Sequence, residues 1–454
     1  MTQAPRESLI RARLLSFHAE PQGDDGYTYI EDGGLLIRAG RIAAVGDYAA
    51  VAAQAPQAKV SDRRPWLVMP GFIDPHIHFP QAQAIGSHGA QLMDWLNQYI
   101  FVEEQKFADA AHAARIASAF FDALIDHGTT TACAFCSVHP ASVDAYFAEA
   151  LRRDMRMIGG KVLMDRNAPE PLRDSPERGV AESEALIARW HGRGRLQYAI
   201  APRFAITSTP EQMAATAALI AARPDLLVQT HLAENRAEIA QALSLYPQAR
   251  DYTDIYARYG MLGPRSLMGH CIHLSDREAG ALAESGAVAV FCPTSNLFLG
   301  SGLFDMARLK GAGVRLAVAT DVGAGDSYSL LRTLNEGYKA LHLQGQSLAP
   351  LMGFYMATLG NARALGLEGV IGSLSVGAEA DLAALDMRAT PAMALRAETV
   401  ATLAQELFLL QTMGDDRAVA AVWVAGAQVK GAAPPAAPEA AHARRRGSSS
   451  PDRG

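Results

Sequence analysis

The chain has 454 residues, of which 49% are hydrophobic and 19% charged, a composition typical of a water-soluble enzyme and not of a disordered or membrane protein. Its formal net charge of −6 argues against nucleic acid as the main partner, because binding to a phosphate backbone depends on clustered lysine and arginine residues. No apolar run approaches the roughly 18 residues of a membrane helix, and residues 1–13 lack the pattern of a signal peptide, so we expect a cytoplasmic protein without a membrane partner.

Both ends of the chain carry the pattern of antiparallel strands. Residues 1–68 contain short alternating runs separated by turn residues, which predict hairpins, and similar runs return at 382–386 and 420–426. We therefore predict one small β-sandwich built from residues 1–68 and 371–430. The segment 431–454 is rich in Pro, Ala and Ser and is predicted to be a disordered tail without a catalytic role.

The middle of the chain, residues 69–370, has the pattern of a parallel barrel. Apolar runs alternate with helix-like segments, as in a parallel sheet with helical connections. The clearest helices are predicted at 107–126 and 142–153, where apolar residues recur at three- and four-residue spacing. The eight runs lie at 67–78, 128–136, 156–164, 196–206, 226–233, 266–274, 287–293 and 314–321. The predicted fold class is therefore α/β, a (β/α)8 TIM-like barrel inserted between the two halves of the β-sandwich.

Polar residues that can bind a metal stand at the ends of several of these runs. His76 and His78 close the first run, and on a strand they project to the same side because alternate residues share a face. His231 and Asp321 close two later runs. Since the carboxyl ends of parallel barrel strands lie on one face, the four side chains should converge. They predict one zinc ion per chain with a position left for water, with iron as a substitute because all donors are nitrogen or oxygen.

The first predicted barrel loop, over residues 81–106, is longer than a structural connection needs. Long loops on the carboxyl face of a barrel are commonly binding or lid elements. The loop contains Trp95, for which packing at the barrel rim and contact with a substrate are equally favoured.

The four cysteines are too few and too dispersed for a disulfide framework. Cys133 and Cys136 form a C-x-x-C pair inside an apolar run, and no second such pair follows, so reduced buried thiols are expected. The pair also fails the P-C-x-x-C pattern of cytidine-type zinc deaminases, because Ala132 stands where proline is required.

Several of these segments resemble known motifs. The sequences PGFIDPHIHF, THLAEN, GHCIHL and ATDVGAGDSYS resemble the strand-end motifs of the amidohydrolase superfamily. The sequence H-I-H-x-P-Q ending at Gln81, the sequence APRF at 201–204 and the sequence CPTSNLFLGSG at 292–302 are similar to the guanine deaminase family within it. The resemblance covers about residues 30–430 and implies a homodimer with guanine as its small-molecule substrate.

This resemblance implies hydrolytic deamination of guanine to xanthine and ammonia by a zinc-activated water. Glu234, three residues after His231, is expected to carry protons from the water to the heterocycle. Asp321 is expected to bind zinc and to accept a proton from the water, and His270 to hydrogen-bond the reacting centre. The residues expected to bind the substrate are Gln81, Arg203, Phe204 and His270.

Three alternatives stay open from the sequence. The first is a binuclear site with a carboxylated lysine on the fourth strand, but the strand lysine available, Lys161, falls on the third predicted strand. The fourth strand instead offers Arg203, which cannot carry a carbamate. The second is a non-enzymatic binding protein, and the third is a mononuclear enzyme that acts on cytosine, a triazine or an adenine derivative.

Overall fold

The structure, a computed structural model, describes residues 7–88 and 92–431. The strands in these ranges are β1 (Glu7–Gln22), β2 (Asp25–Arg38), β3 (Arg41–Asp47), β4 (Lys59–Pro70), β5 (Phe72–His78), β6 (Thr129–Phe135), β7 (Arg156–Gly160), β8 (Val162–Leu163), β9 (Gln197–Pro202), β10 (Leu227–Leu232), β11 (Ser266–His270), β12 (Val288–Phe291), β13 (Arg315–Val318), β14 (Leu382–Leu385), β15 (Val419–Val424) and β16 (Ala427–Gly431).

The helices in the same ranges are α1 (Tyr48–Ala52), α2 (Leu92–Trp95), α3 (Phe101–Gln105), α4 (Ala110–Asp126), α5 (Pro140–Arg152), α6 (Pro176–Trp190), α7 (Pro210–Ala222), α8 (Arg236–Leu245), α9 (Tyr252–Arg258), α10 (Asp276–Ser285), α11 (Pro293–Phe298), α12 (Met306–Gly311), α13 (Leu330–His342), α14 (Pro350–Tyr355), α15 (Asn361–Ala364), α16 (Pro391–Ala397) and α17 (Leu403–Met413). Many of them begin at a side-chain cap; Asp109, for example, accepts the N–H of Ala111 at 2.8 Å at the start of α4.

The barrel predicted from the alternating runs is present. Among the described residues, one sheet has the strand order β13-β12-β11-β10-β9-β7-β6-β5, with β8 paired to β9. β7 and β8 share one position in the barrel, because the strand is interrupted at Lys161. β5 and β6 are buried along their whole length, as expected of parallel strands covered on both faces. The (β/α)8 fold class is therefore confirmed.

The first and last strands of the barrel meet through backbone bonds and one buried amide. The carbonyl oxygen of His76 accepts the N–H of Asp321 at 3.0 Å. The junction between β5 and β13 is the seam of the barrel. At this seam Asn361 of α15 donates from Nδ2 to the carbonyls of Ile73 (2.7 Å) and Val318 (2.8 Å). Its Oδ1 accepts the N–H of Val318 at 3.1 Å. Asn361 thus satisfies backbone groups on both sides of the seam.

The second sheet is drawn from both ends of the chain. Its described strands lie in the order β16-β15-β14-β4-β1-β2-β3, and its hydrogen-bonded neighbours are antiparallel except for β1 and β4. The neighbouring residues Leu35 and Leu36 of β2 are both fully buried, but in different apolar clusters. The sheet is therefore covered on both faces, and the predicted β-sandwich built from the two chain ends is confirmed.

The first predicted barrel run, 67–78, was wrong at its beginning. β4 ends at Pro70 and pairs with β14 in the second sheet, whereas β5 begins at Phe72 in the barrel. Gly71 separates them, and a Cβ there would overlap the side chain of Thr130. The sequence did not reveal the break, because both strands are apolar and apolar character does not specify which sheet a strand joins.

Helix α17 contacts both the second sheet and the outer helices of the barrel. Glu406 of this helix pairs with Arg13 of β1, with Nη1 and Oε1 2.8 Å apart. On the other side, Asn335 of α13 donates to the carbonyl of Thr412 at 3.2 Å. The helix therefore holds the second sheet against the outer layer of the barrel.

No helix in residues 7–88 or 92–431 is long and apolar enough to cross a membrane. Of the tail predicted over residues 431–454, Gly431 is described as the last residue of β16. Residues 432–454 lie outside the described residues, so the prediction of a disordered tail stays a prediction.

The seam gives a stability prediction. Asn361→Ala should lower the free energy of unfolding by about 3 kcal/mol, because it leaves buried N–H and C=O groups unpaired at roughly 1–3 kcal/mol each. Denaturant unfolding followed by circular dichroism measures the change. Asn335→Ala is the matched control, since one bond to a partly buried carbonyl is lost, and a loss as large as that of Asn361→Ala would contradict the seam argument.

Candidate active site

The four predicted metal ligands come together at the carboxyl ends of barrel strands. Nε2 of His78 lies 3.1 Å from Nε2 of His231 and 3.2 Å from Oδ1 of Asp321. Nε2 of His76 lies 3.4 Å from the same carboxylate oxygen. His76, His78 and Asp321 are at most 3% exposed, while His231 is partly accessible and lines a cavity.

His270, predicted to contact the reacting centre, lies in the same cluster. Its Nε2 is 3.7 Å from Oδ2 of Asp321, and its Nδ1 is 2.9 Å from Oδ1 of Asn296. The group whose donor atoms all lie within 4.8 Å of one another consists of His76, His231, His270 and Asp321. His78 and His270 are therefore both within reach of one ion, and the choice of His78 as ligand stays a prediction.

Two observations indicate that the cluster is suited to a metal ion. Both ring nitrogens of His76 are buried without a hydrogen-bond partner in the described part of the chain, which is unusual for a folded protein. Burial also lowers the pKa of His78 to about 4 and, together with the neighbouring histidines, holds that of His231 well below its ordinary value. Neutral imidazoles beside a carboxylate are the donors that zinc requires.

The surroundings of the cluster orient its rings. Nδ1 of His231 lies 2.8 Å from the carbonyl of Arg203, which favours the tautomer with Nδ1–H and leaves Nε2 for an ion. Gly269 lies under His76, where an added Cβ would be 2.5 Å from the ring carbon Cε1. A glycine is therefore needed for the ring to reach its place.

The backbone turns sharply where these strands end. Ala233, His270 and Asp321 have φ angles of 52°, 70° and 51°, a left-handed conformation that non-glycine residues rarely adopt. Such conformations cost on the order of 1–3 kcal/mol each and cluster at functional sites. The turns direct the side chains of His270 and Asp321 into the cluster.

Glu234, the predicted proton carrier, faces the cluster. Its Oε2 lies 3.4 Å from Nε2 of His270, and Ser301 donates its hydroxyl to Oε1 at 2.9 Å. Burial, with the nearby charge of Asp321, raises the pKa of Glu234 to about 8. A carboxyl group of this kind can hold or release a proton near neutral pH.

The cluster opens into a cavity under the first barrel loop. The predicted substrate residues Gln81, Arg203 and Phe204 line it together with Glu234 and His270. Apolar residues of the same cavity are Leu92, Trp95, Leu96, Leu299 and Ala324. Trp95 thus lines the cavity, and its Nε1 also donates to the carbonyl of Ser87 at 3.1 Å. An apolar cavity with a few convergent polar groups is typical of a small-molecule site.

Glu104 is a site residue that the sequence analysis missed. It belongs to α3, is 1% exposed, and accepts hydrogen bonds from Arg203 (2.8 and 2.7 Å) and from Gln81 (3.0 Å). Asn296 and Ser301 were also missed, although both stand in the segment 292–302 that carries the family resemblance. That segment was the available signal for them, whereas Glu104 had no signal beyond the length of its loop.

Two other groups lie apart from the cluster. Lys161 is buried and pairs with Asp174, with Glu182 3.3 Å away. It stands on the third strand position of the barrel, as predicted, and not on the fourth. The four cysteines are free and buried, in agreement with the expectation of reduced thiols.

Models of protein families match parts of the chain. Residues 67–429 match the model described as the amidohydrolase family. Residues 33–58 match a model described as an imidazolonepropionase-like composite domain of bacteria.

Known proteins resemble the chain over most of its length. It is 46% identical to guanine deaminase of Escherichia coli (strain K12) over 399 residues, 88% of this chain and 91% of that protein. The solved E. coli guanine deaminase superposes with a TM-score of 0.91, covering 93% of this chain and 99% of that one at 43% identity. The structure of guanine deaminase from C. acetobutylicum with bound guanine has a TM-score of 0.85 at 26% identity, and the match covers 93% of this chain and 99% of that one. The structure of an adenosine deaminase from Xanthomonas campestris with bound zinc has a TM-score of 0.83 at 25% identity, and the match covers 94% of each chain.

The close approach at Gly269 gives a prediction for the cluster. Gly269→Ala should weaken zinc binding by about 10- to 100-fold, since the added methyl displaces the ring of His76 and misplaced ligand orientation costs that much. Competition with a chelating dye measures the affinity. Gly280→Ala in α10 is the control, because an added Cβ there has no neighbour within 4 Å. Equal zinc affinity of the two variants would contradict the role of Gly269.

Proposed function

The chain belongs to the amidohydrolase family, and we propose that it is a zinc-dependent guanine deaminase, which converts guanine and water to xanthine and ammonia. One observation carries the proposal: the histidine–aspartate cluster opens into a cavity whose other polar groups are Gln81, Arg203 and Glu234. The long match to a guanine deaminase at 46% identity, and the similar structure with bound guanine, support this substrate.

We assign His76, His78, His231 and Asp321 as the ligands of one zinc ion per chain. Imidazole nitrogens and carboxylate oxygens are both ligands of catalytic zinc, which can expand its coordination to admit water. A zinc ion bound there supplies a Lewis acid, which makes water a nucleophile at neutral pH. The binuclear alternative is disfavoured, because Lys161 is occupied by Asp174 and the fourth strand is followed by Arg203.

Proton transfer is the task of Glu234. Deamination needs a group that takes a proton from the attacking water, gives one to a ring nitrogen and later protonates the leaving amine. The raised pKa of Glu234, about 8, allows both protonation states near neutrality, and the bond from Ser301 orients the carboxylate. Asp321 accepts the other of the water's two protons, and His270, whose ring is held by Asn296, hydrogen-bonds the developing tetrahedral centre.

Recognition of the base rests on Arg203 and Gln81. Arg203 presents donors and no acceptor, so it suits the carbonyl oxygen of guanine and cannot pair with the amino group that adenine has at that position. Gln81 has a donor and an acceptor and can bind a ring N–H and a neighbouring acceptor. Phe204 contributes an apolar contact beside them. Of the alternative substrates, adenine has no carbonyl oxygen for Arg203 to bind, and cytosine and the triazines lack the second ring of a purine.

A homodimer and a cytoplasmic location remain predictions from the family resemblance. Sedimentation of the purified protein determines the first.

Glu234→Gln should reduce kcat by about 10²- to 10⁴-fold, because the amide cannot carry protons. Zinc content should stay at one ion per chain, since Glu234 is not a ligand. Ammonia release and metal analysis on the same samples measure both quantities. Glu284→Gln, on the exposed side of α10, should keep the activity of the parent protein. Loss of zinc in Glu234→Gln would mean that the residue is a ligand and that its assigned role is wrong.

The choice of base is tested with guanine and adenine. The parent protein should release ammonia from guanine about 10⁴- to 10⁵-fold faster than from adenine, because a wrong base leaves buried polar groups unpaired. Arg203→Leu should lower kcat/KM for guanine by about 10²-fold or more while zinc is retained. The surface variant Arg189→Leu serves as control. Comparable turnover of adenine by the parent, or full activity of Arg203→Leu on guanine, would contradict the proposed choice of guanine through Arg203.

A further inference from the structure

The carboxylate of Glu104 holds together the two residues proposed to read the base. Its two oxygens accept from Nη1 of Arg203 at 2.8 and 2.7 Å, and Oε1 also accepts from Nε2 of Gln81 at 3.0 Å. The main-chain carbonyl of Glu104 accepts the hydroxyl of Ser137 at 3.1 Å, which fixes α3 to the barrel. Glu104 therefore connects the first barrel loop to the residues at the ends of β5 and β9.

The contacts of Arg203 leave part of its guanidinium for a substrate. Nη1 alone is bound by Glu104, and within residues 7–88 and 92–431 neither Nη2 nor Nε has a hydrogen-bond partner. The guanidinium carbon lies 5.4 Å from the ring centroid of Phe101, which supports the cation from another side. Since Arg203 lines the cavity, its remaining N–H groups are free to bind a carbonyl oxygen.

The contacts of Gln81 determine the direction of its amide. Nε2 donates to Glu104, and Oε1 accepts the N–H of Gly323 at 3.3 Å. In the flipped orientation Oε1 would face a carboxylate and the amino group would face an N–H, so both bonds would be lost. One donor and one acceptor position on the amide are left for the substrate.

The pair of Glu104 and Arg203 is also neutral as a unit. Arg203 is 3% exposed, and a buried charge without a partner is costly and attracts an ion of opposite sign. Guanine is neutral at physiological pH, whereas xanthine loses a ring proton more readily and forms an anion. A guanidinium without its carboxylate would favour the anionic product over the substrate.

Building on the proposed function, we propose that Glu104 is a positioning and specificity residue. It directs the free donors of Arg203 and the amide of Gln81 toward the carbonyl edge of guanine. It also cancels the charge of Arg203, so that the cavity prefers the neutral substrate to the anionic product.

Glu104→Gln tests the proposal, because it keeps the shape of the side chain and removes the charge. KM for guanine should rise about 10- to 100-fold, the effect of losing a charge-assisted hydrogen bond, while kcat falls less and zinc content is unchanged. The ratio of the xanthine inhibition constant to the guanine KM should fall, and fall further as pH rises and xanthine ionises. Glu103→Gln is the matched control, since Glu103 pairs with Lys106 at 2.7 Å on the surface.

A double-mutant cycle with Arg203→Leu separates positioning from a general effect on folding. Because Glu104 acts mainly through Arg203, the double variant should have nearly the KM of Arg203→Leu alone. The double variant lacks both buried charges, so this comparison holds even if Glu104→Gln alone does not fold.

Three results would overturn the proposal: a Glu104→Gln protein with KM within twofold of the parent, an unchanged ratio for xanthine, or a double variant whose KM for guanine is at least tenfold above that of Arg203→Leu. A parent protein that releases no ammonia from guanine would instead remove the proposed function, and this inference with it.

Discussion

The convergence of imidazole and carboxylate donors on one buried point is the constraint on which the rest of the site depends. His76, His78, His231 and Asp321 reach this point because parallel strands of a closed barrel end on the same face. Lone pairs at such distances repel one another unless a cation or a proton lies between them. The lowered pKa values of His78 and His231 keep both rings neutral, so their ring nitrogens can offer lone pairs to a metal ion.

The same constraint explains features of the backbone around the cluster. Gly269 provides the space that the ring of His76 occupies, and the left-handed conformations of His270 and Asp321 turn their side chains inward. The amide of Asn361 closes the seam on which His76 and Asp321 lie. Strain at the strand ends is tolerated because the packed barrel and these hydrogen bonds hold the surrounding chain in place.

The first barrel loop combines two tasks that are usually separate. Leu92 and Trp95 cover the cavity with apolar surface, while Glu104, on the same loop, bonds to the polar residues below. Closing the cavity and orienting its polar groups are therefore coupled in this protein. If the loop moved so that Glu104 lost its bonds to Arg203 and Gln81, the cavity would open and the buried charge of Arg203 would be left unpaired.

The barrel, the β-sandwich and the convergence of His76, His78, His231 and Asp321 could be predicted from the sequence, because strand periodicity and the common face of parallel strand ends are local rules that hold in any barrel. The folded chain alone shows where one sheet ends and the other begins at Gly71, since neighbouring apolar strands look alike in sequence. It alone also paired Glu104 with Arg203, which is 99 residues away. The neighbours of Glu104, which are Glu103, Gln105 and Lys106, are polar, so in sequence the segment resembles a solvated helix. The carboxylate of Glu104 can be buried because folding of the barrel brings Arg203 next to it.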